Sequence, residues 1–261
     1  MILNKFKPFS LSGKLKAFSL QLLALSLFSC NKTANINANK AFISLTHVAY
    51  GVDPLKISFD GKPLFQGTIA FGQTTGTFGN PYDTATSRIG ELFLGTADSS
   101  TGKQGNASFL QQAHYSIFAF DSLDKNSFNL LILQDNVPIR TDTFTYIRYM
   151  NFSPGDTIWG LKLINNRKDF PYSADTVLVS SGSFVGFNIN PSAYSFTLIR
   201  SGNYNVFAFR DSSNPAINNS NFINLGNLQI DSLINYNIYL QGFLGMDTGI
   251  NKFQLKSVPL N

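Results

Sequence analysis

Two stretches, Phe42-Ile43-Ser44-Leu45 and Tyr146-Ile147-Arg148-Tyr149, decide the fold, because they open two copies of one pattern at a constant offset of 104 residues. Without a gap, Gly51 falls on Gly155, Leu55 on Trp159, Ile57 on Leu161 and Phe59 on Leu163. Ile57 and Phe59 alternate with Lys56 and Ser58, and that period of two predicts a strand with one wet face. Asp60-Gly61 then predicts a type I′ hairpin turn, and Asn165-Asn166 offers the same in the second copy, since Asn tolerates positive φ. The chain is expected to contain one structural unit twice.

The later part of each copy repeats as well. Tyr115-Ser116-Ile117-Phe118-Ala119 corresponds to Tyr236-Asn237-Ile238-Tyr239-Leu240. Leu131-Ile132-Leu133 is matched to Phe253-Gln254-Leu255, and Val137-Pro138 to Val258-Pro259. The strand Tyr204 to Phe209 has its counterpart in Gly90-Glu91-Leu92-Phe93-Leu94. Each copy then holds about seven short strands between turns, and no stretch beyond Cys30 shows a capped helical period. Composition agrees: 25 Phe, 10 Tyr and 20 Gly favour strands and turns, and 27 Asn and 14 Asp against one Glu put the polar groups in loops. The predicted class is all-β, two tandem immunoglobulin-like antiparallel β-sandwiches over residues 41–140 and 141–261. Asp135 to Thr143 reads as the linker, with Pro138 extended, and Asp98 to Asn106 and Asp211 to Asn221 read as exposed loops.

The N-terminus carries a different signal. Residues 1–29 hold four lysines and no acid, then an apolar run from Phe18 to Phe28 too short to span a bilayer. Leu27-Phe28-Ser29-Cys30 closes it and resembles a bacterial lipoprotein signal, in which the cysteine thiol is acylated and becomes the first mature residue. Cys30 is therefore the expected lipidation site, and polar residues 30–40 the expected tether from an outer-membrane anchor. As the chain's one cysteine, Cys30 leaves no thiol for a disulfide or a nucleophile.

Removing the leader changes the charge argument. The whole chain is at +5, but beyond residue 29 there are 16 basic and 15 acidic residues and no Lys/Arg run. Nucleic-acid binding is not expected. Neither is a cofactor or a catalytic or metal site. His47 and His114 have no His-x-x-x-His pattern and no Gly-x-Ser-x-Gly elbow nearby, so they read as turn or strand-edge residues. Asp121 to Asn126 spaces its oxygens like a calcium loop but lacks the central Gly and terminal Glu, and reads as a hairpin connection. Trp159 aligns with Leu55 and is expected in the core, as are the late-strand tyrosines, their hydroxyls reaching a partner at the rim.

One short pattern recurs beyond the order of one occurrence that composition predicts. Asp-Ser/Thr-apolar appears around Thr84, Ser122, Thr157, Thr176 and Ser232. It resembles an acceptor triplet for O-glycosylation of exported bacterial proteins; the competing reading is an Asp-Ser/Thr turn leading into a strand.

The order of strand, Asn-x-Ser-Pro, strand and late Tyr-x-Ile/Val-aromatic strand resembles the bacterial envelope family known as domain-of-unknown-function 4397. Tyr146 to Pro154 carries the signature; the first copy has Thr46-His47-Val48-Ala49-Tyr50 there and lacks the Ser-Pro. The resemblance covers nearly all of Ala41 to Asn261 and implies secreted or lipid-anchored tandem sandwiches, with no catalytic residues to carry over. The function expected is a non-enzymatic envelope module for binding or adhesion, with contacts around Ser99 to Gly105 and Ser212 to Ser220. The alternative is a glycan-binding accessory lipoprotein, for which Tyr82, Tyr172 and Tyr194 offer rings in loops.

Overall fold

The computed structural model describes residues 39–76, 82–98, 102–121, 128–137, 144–154, 158–166, 176–182, 184–185, 191–210, 222–246, 249 and 252–260. The leader, Cys30 and most of the tether lie outside them. The first copy holds β1 (Lys40–Val48), β2 (Leu55–Phe59), β3 (Lys62–Pro63), β4 (Asp83–Thr86), β5 (Ile89–Thr96), β6 (Gly102–Ser108), β7 (His114–Asp121) and β8 (Phe128–Gln134). The second holds β9 (Phe144–Asn151), β10 (Trp159–Asn165), β11 (Thr176–Gly182), β12 (Thr197–Arg200), β13 (Gly202–Arg210), β14 (Phe222–Ile230), β15 (Asn235–Gln241) and β16 (Gln254–Leu260).

The sheets run β4-β1-β7-β8 and β3-β2-β5-β6 in the first copy, and β12-β9-β15-β16 and β11-β10-β13-β14 in the second. Strand for strand the order is the same, so the two sandwiches and their internal repeat are present. Inside that architecture three details differ from the expectation. Among the described residues each copy has eight strands, not about seven. The β1–β7 and β9–β15 ladders are parallel, the others antiparallel. The first two strands lie in opposite sheets, whereas an immunoglobulin domain keeps them in one.

Register fixes the equivalences. Ile43 pairs with Tyr115 and Ile147 with Tyr236, which joins the offset of 104 to the match of the late tyrosine strands. Leu94 lies opposite Ile57 and Ala208 opposite Leu161, so Gly90–Leu94 is the counterpart of Tyr204–Ala208. The matches beyond β7 need correction. Leu133 pairs with Ser116 and Val258 with Asn237, so Leu131–Leu133 corresponds to Lys256–Val258, not Phe253–Leu255. Pro259 faces Tyr236 on the edge strand β16, where a missing N–H costs no ladder bond, and its equivalent is Gln134. The connection before the last strand is longer in the second copy, which shifts the local similarity.

Turn chemistry repeats in part. Asp60 and Gly61 both have positive φ, 50° and 72°, as a type I′ turn needs. Neither Asn165 nor Asn166 has positive φ; Asn165 is buried on β10, and Asn166 bonds Asn203 and Asn205. Before β7 and β15 the chain makes the same turn twice. Gln112 and Leu233 adopt left-handed φ of 58° and 66° at equivalent positions. The hydroxyls of Tyr115 and Tyr236 accept from the backbone N–H five residues upstream, Leu110 at 2.9 Å and Asp231 at 3.1 Å. The late tyrosines thus sit in the core with rim-bound hydroxyls, as their alternation in the sequence implies.

Each sandwich has its own core, one around Leu45, Leu55, Leu94 and Ile117, the other around Ile147, Leu161, Val206 and Ile238. Trp159 is in the second core, 5.0 Å from the Phe253 ring, with its carbonyl accepting from Tyr149. A third cluster joins the copies: Val48, Phe118, Phe120, Leu131 and Leu133 meet Met150, Phe152, Tyr239, Val258 and Leu260. The sheets containing β1 and β9 therefore pack face to face, making four stacked layers in one compact unit, Asn39–Asn261. Strand β15 is buried at every position, as a strand covered on both faces must be.

Candidate functional site

Two features stand out from the packing, a polar network between the sandwiches and an open cleft on the first. The network begins with Arg148 on β9. Ile147 and Tyr149 fill the second core, so period two turns Arg148 toward the other sandwich, where its side chain is 2% exposed. Its Nη2 is paired with Asp135 Oδ1, and its Nε donates to Asn237 Oδ1 at 2.8 Å. Asp135 Oδ2 accepts from Ser116 at 2.7 Å and from the Tyr82 hydroxyl at 2.9 Å. Asn237 Nδ2 donates to Ser116 Oγ at 2.8 Å, and the guanidinium lies 4.7 Å from the centre of the Phe196 ring. Burial and the adjoining Asp135 carboxylate hold the Tyr82 hydroxyl protonated, well above its ordinary range.

Sequence reasoning misses this site. Asp135 reads as part of the linker, yet it is a buried anion whose partner lies across the boundary between the copies. A usable signal exists in β9 and β7. Met150 and Phe152 are apolar on the face opposite Ile147 and Tyr149, and Phe118 and Phe120 on the face opposite Ile117 and Ala119, which marks strands buried on both sides.

The cleft arises because β3 has only two residues. The chain after it runs along β2, with Leu64 bonded to Ile57 and Ile69 to Leu55, and then crosses to β1. There Gly72 and Gln73 bond His47, and Thr75 bonds Leu45 through both backbone and hydroxyl. Between these two ribbons opens a cleft of about 710 Å³, within the size range of ligand sites. Leu64, Phe65 and Ile69 give it an apolar side, and Gln66, Gln73 and Asp83 a polar one. Burial raises the Asp83 carboxyl above its ordinary value.

The remaining expected residues are distributed over both sandwiches. His47 is fully buried at the end of β1, and its Nδ1 accepts from the Ala49 N–H at 3.2 Å. Its equivalent Asn151 accepts from the Ser153 N–H at 3.0 Å, so both copies use the same local turn bond. Burial lowers the His47 pKa, against backbone hydrogen bonds that raise it. His114 stacks on Phe42 and meets Tyr82 edge-on, and burial lowers its pKa against the pull of Asp135. Among the described residues no three His, Cys, Asp or Glu come together to hold a metal.

Tyr82 and Tyr194 pack against the cluster between the sandwiches, which corrects their reading as exposed rings in loops; Tyr172 lies outside the described residues. Gly102 to Gly105 belong to β6, not to a loop, and 99–101 and 211–221 lie outside the described residues, as does 122–127 of the calcium-like segment. Of the triplet hydroxyls, Thr84 is exposed on the edge strand β4, Thr176 is exposed at the start of β11, and Ser232 is exposed in the turn before β15. Ser122 and Thr157 lie outside the described residues.

No protein-family model and no curated protein matches the chain. Among solved structures, a carbohydrate-binding module of family CBM26 from Eubacterium rectale Amy13K, in complex with maltoheptaose, aligns at 12% identity and a TM-score of 0.21. That alignment covers 85% of this chain and 97% of the other. A protein of Bacteroides ovatus ATCC 8483, provisionally ascribed to cell adhesion, aligns at 8% identity and a TM-score of 0.25, over 85% and 95% of the two chains. Likeness at this level carries no functional assignment; the fold rests on the strand pairing above.

Proposed function

We propose that this chain is a lipid-anchored envelope protein, held by Cys30 in the outer membrane, whose paired sandwiches form a rigid, non-enzymatic binding or adhesion module. The observation that carries the reading is the direction of the strands. β1 rises from Lys40, and at its far end Tyr50 meets Phe243 just beyond β15, ring centres 5.0 Å apart. The ends of β5 and β13, from which the polar connections 97–101 and 211–221 leave, lie at that same pole, opposite the entry of the tether. A tethered module presents such connections outward in this way. The resemblance to the domain-of-unknown-function 4397 family belongs to the same proposal.

Cell fractionation tests the anchor: Cys30→Ser moves the protein to the soluble fraction, and an unchanged membrane fraction rejects it. Shortening both 99–101 and 212–220 tests the contact surface, and undiminished binding to cells or envelope extracts rejects it.

The cleft favours a second reading, capture of a glycan. Its wall combines amide, hydroxyl and carboxylate groups with an aromatic ring, and no Lys or Arg is among its described lining residues. That chemistry suits a neutral, hydroxyl-rich ligand better than an anion.

A further inference from the structure

We propose that the cleft between the β1 and β2 ribbons of the first sandwich is a binding site for a neutral oligosaccharide, with Asp83 and Gln73 reading its hydroxyls and Phe65 supplying the apolar face. The inference rests on the glycan reading and gives it a place and named residues. A sugar hydroxyl both donates and accepts, so its site must offer both kinds of group beside an apolar surface for the C–H face of the ring. The cleft has this combination. Gln73 Oε1 is already occupied by the Ala70 N–H at 3.2 Å, which turns its amide NH₂ to donor duty. Asp83, set by its backbone pairing with Ile43, is an acceptor when ionised. Phe65 is half-buried against the first core, which fixes the ring while leaving part of it at the cleft.

The wall is also held in place before any ligand arrives. The Thr75 hydroxyl accepts from the Leu45 N–H at 2.9 Å, and the hydroxyls of Thr74 and Thr46 bond each other at 3.0 Å. These threonines lash the ribbon to β1, so binding would order little of the chain. The carboxylate, with no cation among the cleft's described lining residues, disfavours acidic sugars through like-charge repulsion.

Isothermal titration of the purified full chain tests this with neutral glucan, mannan and xylan oligosaccharides and with polygalacturonate. At least one neutral oligosaccharide is expected to bind, and polygalacturonate about tenfold more weakly or not at all. Asp83→Asn and the exposed Gln66→Ala should each weaken the neutral ligand, the former by about tenfold, with unchanged circular dichroism. Phe65→Ala should abolish binding and Phe65→Tyr retain it. If a neutral sugar binds and all these variants leave its affinity intact, the cleft assignment falls while the glycan reading stands. If no saccharide binds, both fall, and the adhesion reading is judged by the loop deletions alone. Preference for polygalacturonate overturns the proposed ligand class.

Discussion

Asn237 and Ser116 occupy the same position in the two repeats, and they are hydrogen-bonded to each other at 2.8 Å. Two residues further along, the equivalent pair Phe118 and Tyr239 meets edge to face at 5.9 Å. Residues that touch their own counterparts lie beside a two-fold axis, as in an isologous dimer interface. The tandem chain is therefore packed like a symmetric dimer joined end to start. Arg148 breaks the symmetry, because its equivalent is Ser44, and the larger side chain reaches Asp135 across the axis.

That asymmetry gives the first prediction. Arg148→Met leaves Asp135 buried without its cation and should cost about 3–5 kcal/mol in urea unfolding. Arg148→Met combined with Asp135→Asn should recover most of the loss. A single variant that unfolds like the parent would show that the pair is not the clasp between the sandwiches.

The apolar seam gives the second. Residues 39–137 expressed alone would expose Phe118, Phe120, Leu131 and Leu133. Such a patch drives self-association. Sedimentation should show a dimer or larger species, and Phe118→Ser with Leu131→Ser should restore a monomer. A wild-type half that is monomeric at high concentration would contradict the seam's role.

Stability should fall in acid through His47. Its folded pKa lies below the ordinary histidine value, so the unfolded chain takes up the proton first. The contribution is complete above about pH 6.5, and it is lost progressively as pH falls below that value. His114 is shifted in the same direction and adds to the slope. His47→Asn, which installs the residue of the second copy, should flatten the pH dependence of the urea midpoint between about pH 7.5 and 5.5. A slope as steep as the parent's would remove His47 from the account.

The fourth concerns Gly160 on β10, which lies opposite Phe209. A Cβ there would stand 2.3 Å from the Phe209 ring. Gly160→Ala should cost about 1–3 kcal/mol from overpacking. Pairing it with Phe209→Leu should relieve part of that, and a neutral Gly160→Ala in thermal unfolding would argue against the close approach.

The sequence alone determined the repeat, the class, the Asp60-Gly61 turn and the core places of Trp159, Tyr115 and Tyr236. All of these come from local information: side-chain alternation, turn residues with positive φ, and copies of one pattern. The tertiary structure alone decided which strands are neighbours, and with them both candidate sites. The parallel β1–β7 pairing joins residues about 70 positions apart, and nothing local encodes it. Asp135 reads as a solvated linker residue until the second sandwich folds back and brings Arg148 to it. Tyr82 reads as a loop ring until the same packing buries it against Asp135. The cleft exists only because the ribbon after β3 bonds first to β2 and then to β1. Alternation tells a residue which way it faces, and only the packing of sheets tells it whether water, a core or a second sandwich is there.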